Sequence, residues 1–256
     1  MGWLEAQHKS KGERPIPLAP RSTRLTNFSS GATYNLYMNT PTLSIDVVSD
    51  VVCPWCYIGK RKLEAALALP GAASLPNVLV RWHPFQLNPD MPLQGVSRQQ
   101  YLEHKFGGPE RAAEIYARVR AAGQAVGLAL NIDGITLQPN TLAAHALIAF
   151  AQLGDFDVSD IKERLLNAYF VENRFIGSAD VLAEIAEEAG LNGAAARAFV
   201  SDPEQLVAVA QADAHVRSLG ISGVPYFIFN QKVALSGAQD PAILLGAMQQ
   251  AVARHD

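Results

Sequence analysis

Both cysteines of this 256-residue chain lie in one short stretch, Asp50-Val51-Val52-Cys53-Pro54-Trp55-Cys56-Tyr57-Ile58-Gly59-Lys60, with the spacing C-x-x-C. The residues before it, from Thr42 to Val48, alternate and are rich in β-branched side chains, which predicts a strand. From Lys60 to Leu69, apolar side chains recur at helical spacing. The pattern therefore places the two thiols where a helix begins, and the unpaired backbone N–H groups and dipole of a helix start favour a thiolate.

Each residue of the C-x-x-C segment has an expected role in redox chemistry. With Cys53 as the N-cap and Pro54 as the first helical residue, the amides beyond Pro54 would point back at the Cys53 sulfur and make it the attacking thiolate. Cys56 lies one turn on, so it could close a disulfide with Cys53 and resolve a mixed disulfide held there. Trp55 would project beside the exposed sulfur as an apolar contact for a partner. The segment leaves the direction of electron flow open.

Three other interpretations of the cysteines are open from the residues alone. A structural disulfide is typical of short, cysteine-dense secreted scaffolds, whereas this chain is long and has two cysteines. A closed zinc site needs about four ligands, of which one C-x-x-C supplies half, so no metal is expected. Two inert buried thiols fit poorly with the start of a helix. We therefore expect a redox-active pair.

A second informative segment lies far downstream, between Gly220 and Gly237. It reads as two strands joined by a tight turn at Asn230-Gln231-Lys232. Pro225 stands at the mouth of the first strand, a position that a sheet tolerates. The Val224–Pro225 bond is either a trans bond that starts the strand or a cis bond that would present the Val224 backbone to a substrate.

Five separated segments resemble the FrnE-like dithiol–disulfide oxidoreductases, a branch of the DsbA family. The similarity runs from about Thr42 to Val252, and the segments fall in the order of that family. They are Ser49 to Lys60, Pro84-Phe85-Gln86-Leu87-Asn88-Pro89, Pro139-Asn140-Thr141, Ala168-Tyr169-Phe170 and Ser236-Gly237-Ala238-Gln239.

The resemblance implies a fold and a set of site residues. The fold is α/β, a thioredoxin fold with an all-helical lobe inserted between its βαβ and ββα halves. Cys53 is implied as the nucleophile, Cys56 as the resolving cysteine and Pro225 as the cis-proline that faces them. Pro54, Trp55 and Val224 are expected to contact the substrate.

Kappa-class glutathione transferases and 2-hydroxychromene-2-carboxylate isomerases resemble the chain in architecture and give the alternative function. Those enzymes usually carry a serine where Cys53 stands and bind glutathione instead of cycling a disulfide. They also hold the γ-glutamyl group with a polar pair near the start of the last helix, where this chain has Ala238-Gln239. These departures weigh against the glutathione enzymes but leave transient glutathione exchange open.

Composition indicates one sizeable enzyme without a nucleic-acid or membrane partner. The chain is 49% hydrophobic and 18% charged and has a net charge of −3, so it can bury a large core and has no excess of basic residues. No run approaches the ~20 apolar residues of a membrane span. Residues 1–40 lack the apolar region of a secretory signal, and we interpret them as a disordered leader or an over-long start.

The rest of the chain divides into two predicted parts. Residues 41–95 and 220–256 would form the thioredoxin-like domain, and residues 96–219 the inserted helical domain. Each predicted helix of the insert has a Ser, Asn, Asp or Pro as its start signal, and for the first helix this residue is the N-cap Ser97. The predicted helices are Gln99 to Phe106, Pro109 to Val126, Asn140 to Leu153, Ser159 to Val171, Ser178 to Ala189, Asn192 to Val200 and Asp202 to Leu219.

Four polar residues are weaker site candidates. His83 ends a strand among core-like neighbours, so it is either a structural histidine or a proton shuttle for Cys56. Gln86 and Asn88, in the loop that follows, could line the cleft. Asn140 could contact substrate, although capping of the following helix is the simpler interpretation.

These observations predict a cytoplasmic thiol–disulfide oxidoreductase or disulfide isomerase. Its Cys53–Cys56 disulfide would cycle through a mixed disulfide with a disulfide-bearing protein, a dithiol protein or a small thiol, without a further cofactor. A non-enzymatic holdase or binding module that uses the apolar surface around Trp55 and Pro225 is the alternative of another class.

Overall fold

The computed structural model describes residues 42–154 and 156–253. The predicted leader, residues 1–40, lies outside the described residues. In the described part of the chain there are six strands and nine α-helices, and two short 3₁₀ turns, at Pro70–Ser74 and Ile132–Gly134.

The strands, in chain order, are β1 (Thr42–Ser49), β2 (Asn77–Pro84), β3 (Val96–Ser97), β4 (Leu137–Gln138), β5 (Tyr226–Phe229) and β6 (Val233–Ser236). The helices are α1 (Pro54–Leu67), α2 (Arg98–Phe106), α3 (Pro109–Gln124), α4 (Leu142–Gln152), α5 (Val158–Phe170), α6 (Ala179–Glu188), α7 (Gly193–Ser201), α8 (Pro203–Ser218) and α9 (Pro241–Ala253).

Four of the strands form one mixed sheet in the order β2-β1-β5-β6. Strand β1 pairs in parallel with β2 and antiparallel with β5, and β5 pairs antiparallel with β6. Leu43, Ile45 and Val47 on one face of β1 and Val48 on the other are all buried, as expected for a central strand covered on both sides. This order, with α1 after β1 and α9 after β6, confirms the predicted α/β thioredoxin fold with helices inserted between its halves.

The inserted helices pack directly on the sheet-bearing unit. Helix α8 and helix α5 contact β2, and α5 and α3 contact α1. The apolar residues of both parts belong to one buried cluster, which includes Ile45 and Phe227 from the sheet and Leu165 and Leu182 from the insert. The division into residues 41–95 with 220–256 and residues 96–219 stays a prediction, because the two parts share this core.

Local sequence signals place most helix ends within about two residues of the expected positions. Ser97 forms a capping box with Gln100 at the start of α2, and Gly107 ends that helix with a positive φ of 77°. Asn192 and Asp202 accept backbone hydrogen bonds at the starts of α7 and α8. The short antiparallel pair of β3 with β4 was not predicted. None of the described helices is both long and apolar enough to cross a membrane.

Candidate active site

The two cysteines stand at the junction of β1 and α1. Cys53 is the N-cap of α1 and Pro54 is its first residue, as the sequence predicts. The Cys53 carbonyl accepts hydrogen bonds from the backbone N–H groups of Cys56, at 3.0 Å, and Tyr57, at 3.3 Å. This first turn places Cys56 one helical turn after Cys53, and both are free thiols.

The Cys53 sulfur faces the downstream half of the fold. Its Sγ lies 3.7 Å from the carbonyl oxygen of Val224, to which the thiol donates, and the Val224–Pro225 bond is cis. Two details differ from the sequence-based expectation. The Cys53 side chain accepts no hydrogen bond from the amides of α1, and Cys53 is buried, with only 4% of its area exposed. Trp55 is 41% exposed and provides the apolar surface beside this covered sulfur.

Gly59 allows α1 to approach the start of β5 closely. A Cβ atom at position 59 would lie 2.9 Å from Cγ of Pro225 and 3.3 Å from Cζ of Phe227. A side chain there would therefore push the helix that carries the cysteines away from Pro225. The absence of a side chain at Gly59 helps to set the separation between Cys53 and Val224.

Cys56 is buried beneath this surface, with 1% of its area exposed. Burial, followed by the hydrogen bond and charge of Cys53, raises the pKa of the Cys56 thiol well above its ordinary value. The charge of Lys162 and a backbone hydrogen bond from Asp50 act in the opposite direction. Cys56 therefore keeps its proton near neutral pH and needs help to become a thiolate.

Asp50, three residues before Cys53, is completely buried. Its Oδ2 accepts a hydrogen bond from the backbone N–H of Leu87 at 2.8 Å, and its Oδ1 lies 3.2 Å from Nε2 of His145 on α4. The carboxylate thus joins the loop before α1, the loop after β2 and the inserted lobe. A buried carboxylate held in this way fixes the loop that carries Cys53.

The weaker candidates lie in two different surroundings. His83 Nε2 is 2.8 Å from Asp46 Oδ1 on the neighbouring strand, which favours the structural interpretation. Gln86 and Asn140 are buried and joined by a hydrogen bond of 3.2 Å. Asn140 also bonds the Met91 carbonyl and, through its Oδ1, the Leu142 N–H, so it caps α4 from within this network.

Asn88 instead lines a cavity of about 530 Å³. The cavity is formed by residues 87–92 together with α2, from which Tyr101, His104 and Lys105 contribute. Its volume lies within the range of small-molecule sites. Leu87, on its edge, is the residue whose N–H binds Asp50, so the cavity borders the loop of the cysteines.

The structure adds Lys162, Asp50, His145 and Gly59 to the surroundings of the cysteines. Lys162 on α5 is fully buried, and its charge acts on both thiols. The sequence carries a signal for it, since Leu165, Leu166 and Tyr169 follow at helical spacing and place Lys162 on an apolar face.

Two known proteins are similar to most of this chain. Over 194 residues, the chain is 28% identical to the protein YwbO of Bacillus subtilis (strain 168), covering 75% of this chain and 89% of YwbO. A probable DsbA oxidoreductase from Streptomyces coelicolor is 27% identical, with a TM-score of 0.74 over 84% of this chain and 92% of its own.

A more distant solved structure shares the fold alone. It is the cytosolic disulfide reductase DsbM from Pseudomonas aeruginosa with glutathione (GSH), which is 22% identical. Its TM-score is 0.55, and the match covers 81% of this chain and 95% of DsbM.

A family model matches the greater part of the sequence. The model describes a DSBA-like thioredoxin domain and covers residues 44–249, from the first strand into the last helix. The match includes both cysteines, Val224 and Pro225. The chain therefore belongs to the family of DSBA-like thioredoxin domains.

Proposed function

We propose that this protein is a thiol–disulfide oxidoreductase whose Cys53–Cys56 pair exchanges electrons with a substrate through a mixed disulfide. The observation that carries the proposal is the arrangement of the pair. Cys53 lies at the helix start against the Val224 carbonyl with Trp55 exposed beside it, whereas Cys56 is buried one turn later. The family, whose members are generally oxidoreductases, supports the same activity.

The proposed reaction has two exchange steps. The Cys53 thiolate attacks a substrate disulfide, forms a mixed disulfide and releases the first substrate sulfur as a thiolate. Cys56 then gives up its proton and attacks the Cys53 sulfur, which releases the second substrate thiolate. Overall, the two protein thiols lose two electrons and two protons to the substrate, and the reverse sequence oxidises a substrate dithiol.

The surroundings of the pair support particular classes of substrate. The exposed Trp55 offers an apolar contact for a protein or peptide that carries a disulfide. The cavity beside Asn88 could accommodate a small thiol or the end of a peptide. We further propose that the protein works in the cytoplasm, where a catalytic disulfide is transient, and that it uses no cofactor besides this disulfide.

The test is thiol–disulfide exchange with a disulfide-bonded protein substrate, by wild type, Cys53→Ser and Cys56→Ser. We expect wild type to turn over, because both thiols are available for the two steps. Cys53→Ser should lose activity by at least about a thousandfold, since no thiolate remains to attack the substrate. Cys56→Ser should accumulate mixed disulfides on Cys53, which mass spectrometry would detect.

Other results would support a different function. Equal inactivity of all three proteins with tight glutathione binding would indicate a glutathione transferase or an isomerase of 2-hydroxychromene-2-carboxylate. Retention of a protein-binding activity by Cys53→Ser, without turnover by wild type, would indicate a holdase. Equilibration of the wild-type pair in glutathione buffers then gives its potential, which determines whether oxidation or reduction is favoured.

A further inference from the structure

Lys162 is a fully buried lysine whose ammonium nitrogen has no hydrogen-bond partner in the described part of the chain. Its Nζ lies 5.4 Å from the centre of the Trp82 ring, which provides a cation–π contact but no acceptor atom. A buried charge without a hydrogen bond is costly, so a lysine kept at such a position needs an explanation. The surroundings of Lys162 provide one.

Helix α5, which carries Lys162, is held on α1 by the neighbouring residue Glu163. Glu163 accepts hydrogen bonds from the Tyr57 hydroxyl at 2.6 Å and from Lys60 Nζ at 2.8 Å, and it also pairs with Arg61. Tyr57 follows Cys56 directly on α1, and Lys60 and Arg61 lie on the next turn. Glu163 therefore fixes the part of α5 that carries Lys162 against the part of α1 that follows Cys56.

Four ionisable groups act on Lys162. Burial lowers its pKa to about 8, and the charges of Cys56, Asp50 and Cys53 oppose this decrease while Lys60 adds to it. The influence is mutual, because the charge of Lys162 lowers the pKa of Cys56. From α4, Nε2 of His145 lies 3.2 Å from the Asp50 carboxylate. Strand β2 contributes the uncharged Trp82 ring.

We propose that Lys162 accepts the proton of Cys56 in the resolving step and stabilises the thiolate that results. This inference rests on the proposed function, in which Cys56 attacks a mixed disulfide on Cys53. Lys162 acts on the Cys56 thiol itself, and it is supplied by the inserted helical segment.

The proton and electrons are balanced in each direction. The Cys56 S–H proton moves to the neutral Lys162 amine, and the Cys56 thiolate attacks the Cys53 sulfur. The bond between Cys53 and the substrate breaks, and the substrate sulfur leaves with the electron pair as a thiolate. In the reverse direction a substrate thiolate opens the Cys53–Cys56 disulfide, and the Lys162 ammonium returns its proton to Cys56.

The proposal gives a defined pH dependence. With a pKa of about 8, Lys162 is mostly the ammonium at pH 7 and becomes the neutral amine as the pH rises. Resolution needs the amine, so its rate should rise through about pH 8. Opening of the disulfide needs the ammonium, so its rate should fall over the same interval for a substrate thiol that is already ionised.

The test uses dithiobis(nitrobenzoate), a disulfide reagent that releases a coloured thiolate in each exchange step. The first equivalent reports attack by Cys53, and the second reports resolution by Cys56. We expect Lys162→Met to slow the second phase about tenfold near neutral pH, because the proton of Cys56 loses its acceptor, and to remove the inflection of that phase near pH 8. The first phase should change much less, because attack by Cys53 needs no proton transfer from Cys56.

Two further variants serve as controls for Lys162→Met. Lys162→Arg keeps a positive charge that cannot be lost in this pH range, so it should also lack the inflection near pH 8. Lys232→Met removes an exposed lysine from the β5–β6 turn and should leave both phases unchanged. Far-ultraviolet circular dichroism checks that each variant is folded.

An unchanged second phase with an unchanged pH profile in Lys162→Met would overturn the inference. If that variant does not fold, Lys162→Arg decides, because a second phase that keeps the wild-type inflection near pH 8 in Lys162→Arg would overturn the inference. Release of only one equivalent by wild type would instead show that Cys56 does not resolve, and the proposed function would fail before the role of Lys162 is reached.

Discussion

Gly59 is a residue of α1 that packs closely against Pro225 and the strand that follows it. The ring of Pro225 and the edge of Phe227 occupy the space that a side chain at Gly59 would need. Cys53, on the same helix, lies against the carbonyl of Val224, which precedes Pro225. Packing at Gly59 and geometry at Cys53 are therefore coupled through one rigid helix.

A methyl group at Gly59 should disturb both stability and exchange. We expect Gly59→Ala to lower the free energy of unfolding by about 1–3 kcal/mol, the usual cost of overpacking, and to slow attack by Cys53. The matched control is Gly246→Ala on α9, where a Cβ meets no atom within 4 Å. The control should gain roughly 0.5–1 kcal/mol from helix propensity. Urea denaturation of both variants measures the difference, and equal midpoints would contradict the coupling.

The sequence allowed some residues of the site to be predicted and not others. Cys53, Cys56 and Pro225 could be proposed because each belongs to a short motif with a known backbone requirement. Lys162 and His145 lie far away in the chain, and nothing local links them to the thiols. Lys162 interrupts an apolar helical face, and this pattern identifies it as unusual. The sequence does not reveal which helix packs against that face, because this depends on tertiary packing.

Helix α5, like α3, is an inserted helix that contacts the cysteine-bearing helix α1. Glu163 binds Tyr57, Lys60 and Arg61 of α1 with one carboxylate, and it is largely shielded from solvent. Hydrogen bonds to a charged and partly buried group contribute more than exposed ion pairs do. The contact should therefore stabilise the fold and orient the lobe.

Loss of the Glu163 charge should weaken the contact between α5 and α1. We expect Glu163→Gln to cost about 1.5–3 kcal/mol of unfolding free energy, because two cations of α1 lose their shared partner. Glu184→Gln makes the same chemical change at an exposed pair with Arg174 and should cost less than about 1 kcal/mol. Chemical denaturation compares the two, and an equal loss in both variants would argue against a special role for Glu163.

Helices and long strands were predictable at this scale, whereas the smallest elements were not. The Ser97 capping box and the caps at Asn192 and Asp202 are local sequence signals, and a helix begins directly after each of them. The pairing of β3 with β4 joins two residues to two others about forty positions away. Strands of this length carry no periodicity, so only the folded chain reveals them.

The described part of the chain has one continuous core, which contains apolar residues of the thioredoxin-like part and of the helical insert. Helices of the insert pack on β2 and α1, and apolar residues from both parts form one buried cluster. Family resemblance predicted the order of the elements. It could not predict which inserted helix would face the thiols, because the packing of the lobe depends on side chains along its whole length.

A shared core predicts one cooperative unfolding transition. The reporter is Trp82, which is 4% exposed, in a variant whose other two tryptophans, Trp3 and Trp55, are changed to Phe. Its fluorescence follows the sheet, and far-ultraviolet circular dichroism follows mainly the inserted helices. The two midpoints in urea should coincide. Separate transitions would mean that residues 96–219 unfold as an independent domain.

The 171 positions between Cys53 and Val224 also matter while the protein is being synthesised. At about 5–20 residues per second, the ribosome adds Val224 roughly 10–30 s after it adds Cys53. During that time Cys53 has neither the Val224 carbonyl nor strand β5 beside it. The nascent chain therefore carries an unshielded thiol, and a chain released before Val224 would retain both cysteines without a completed site.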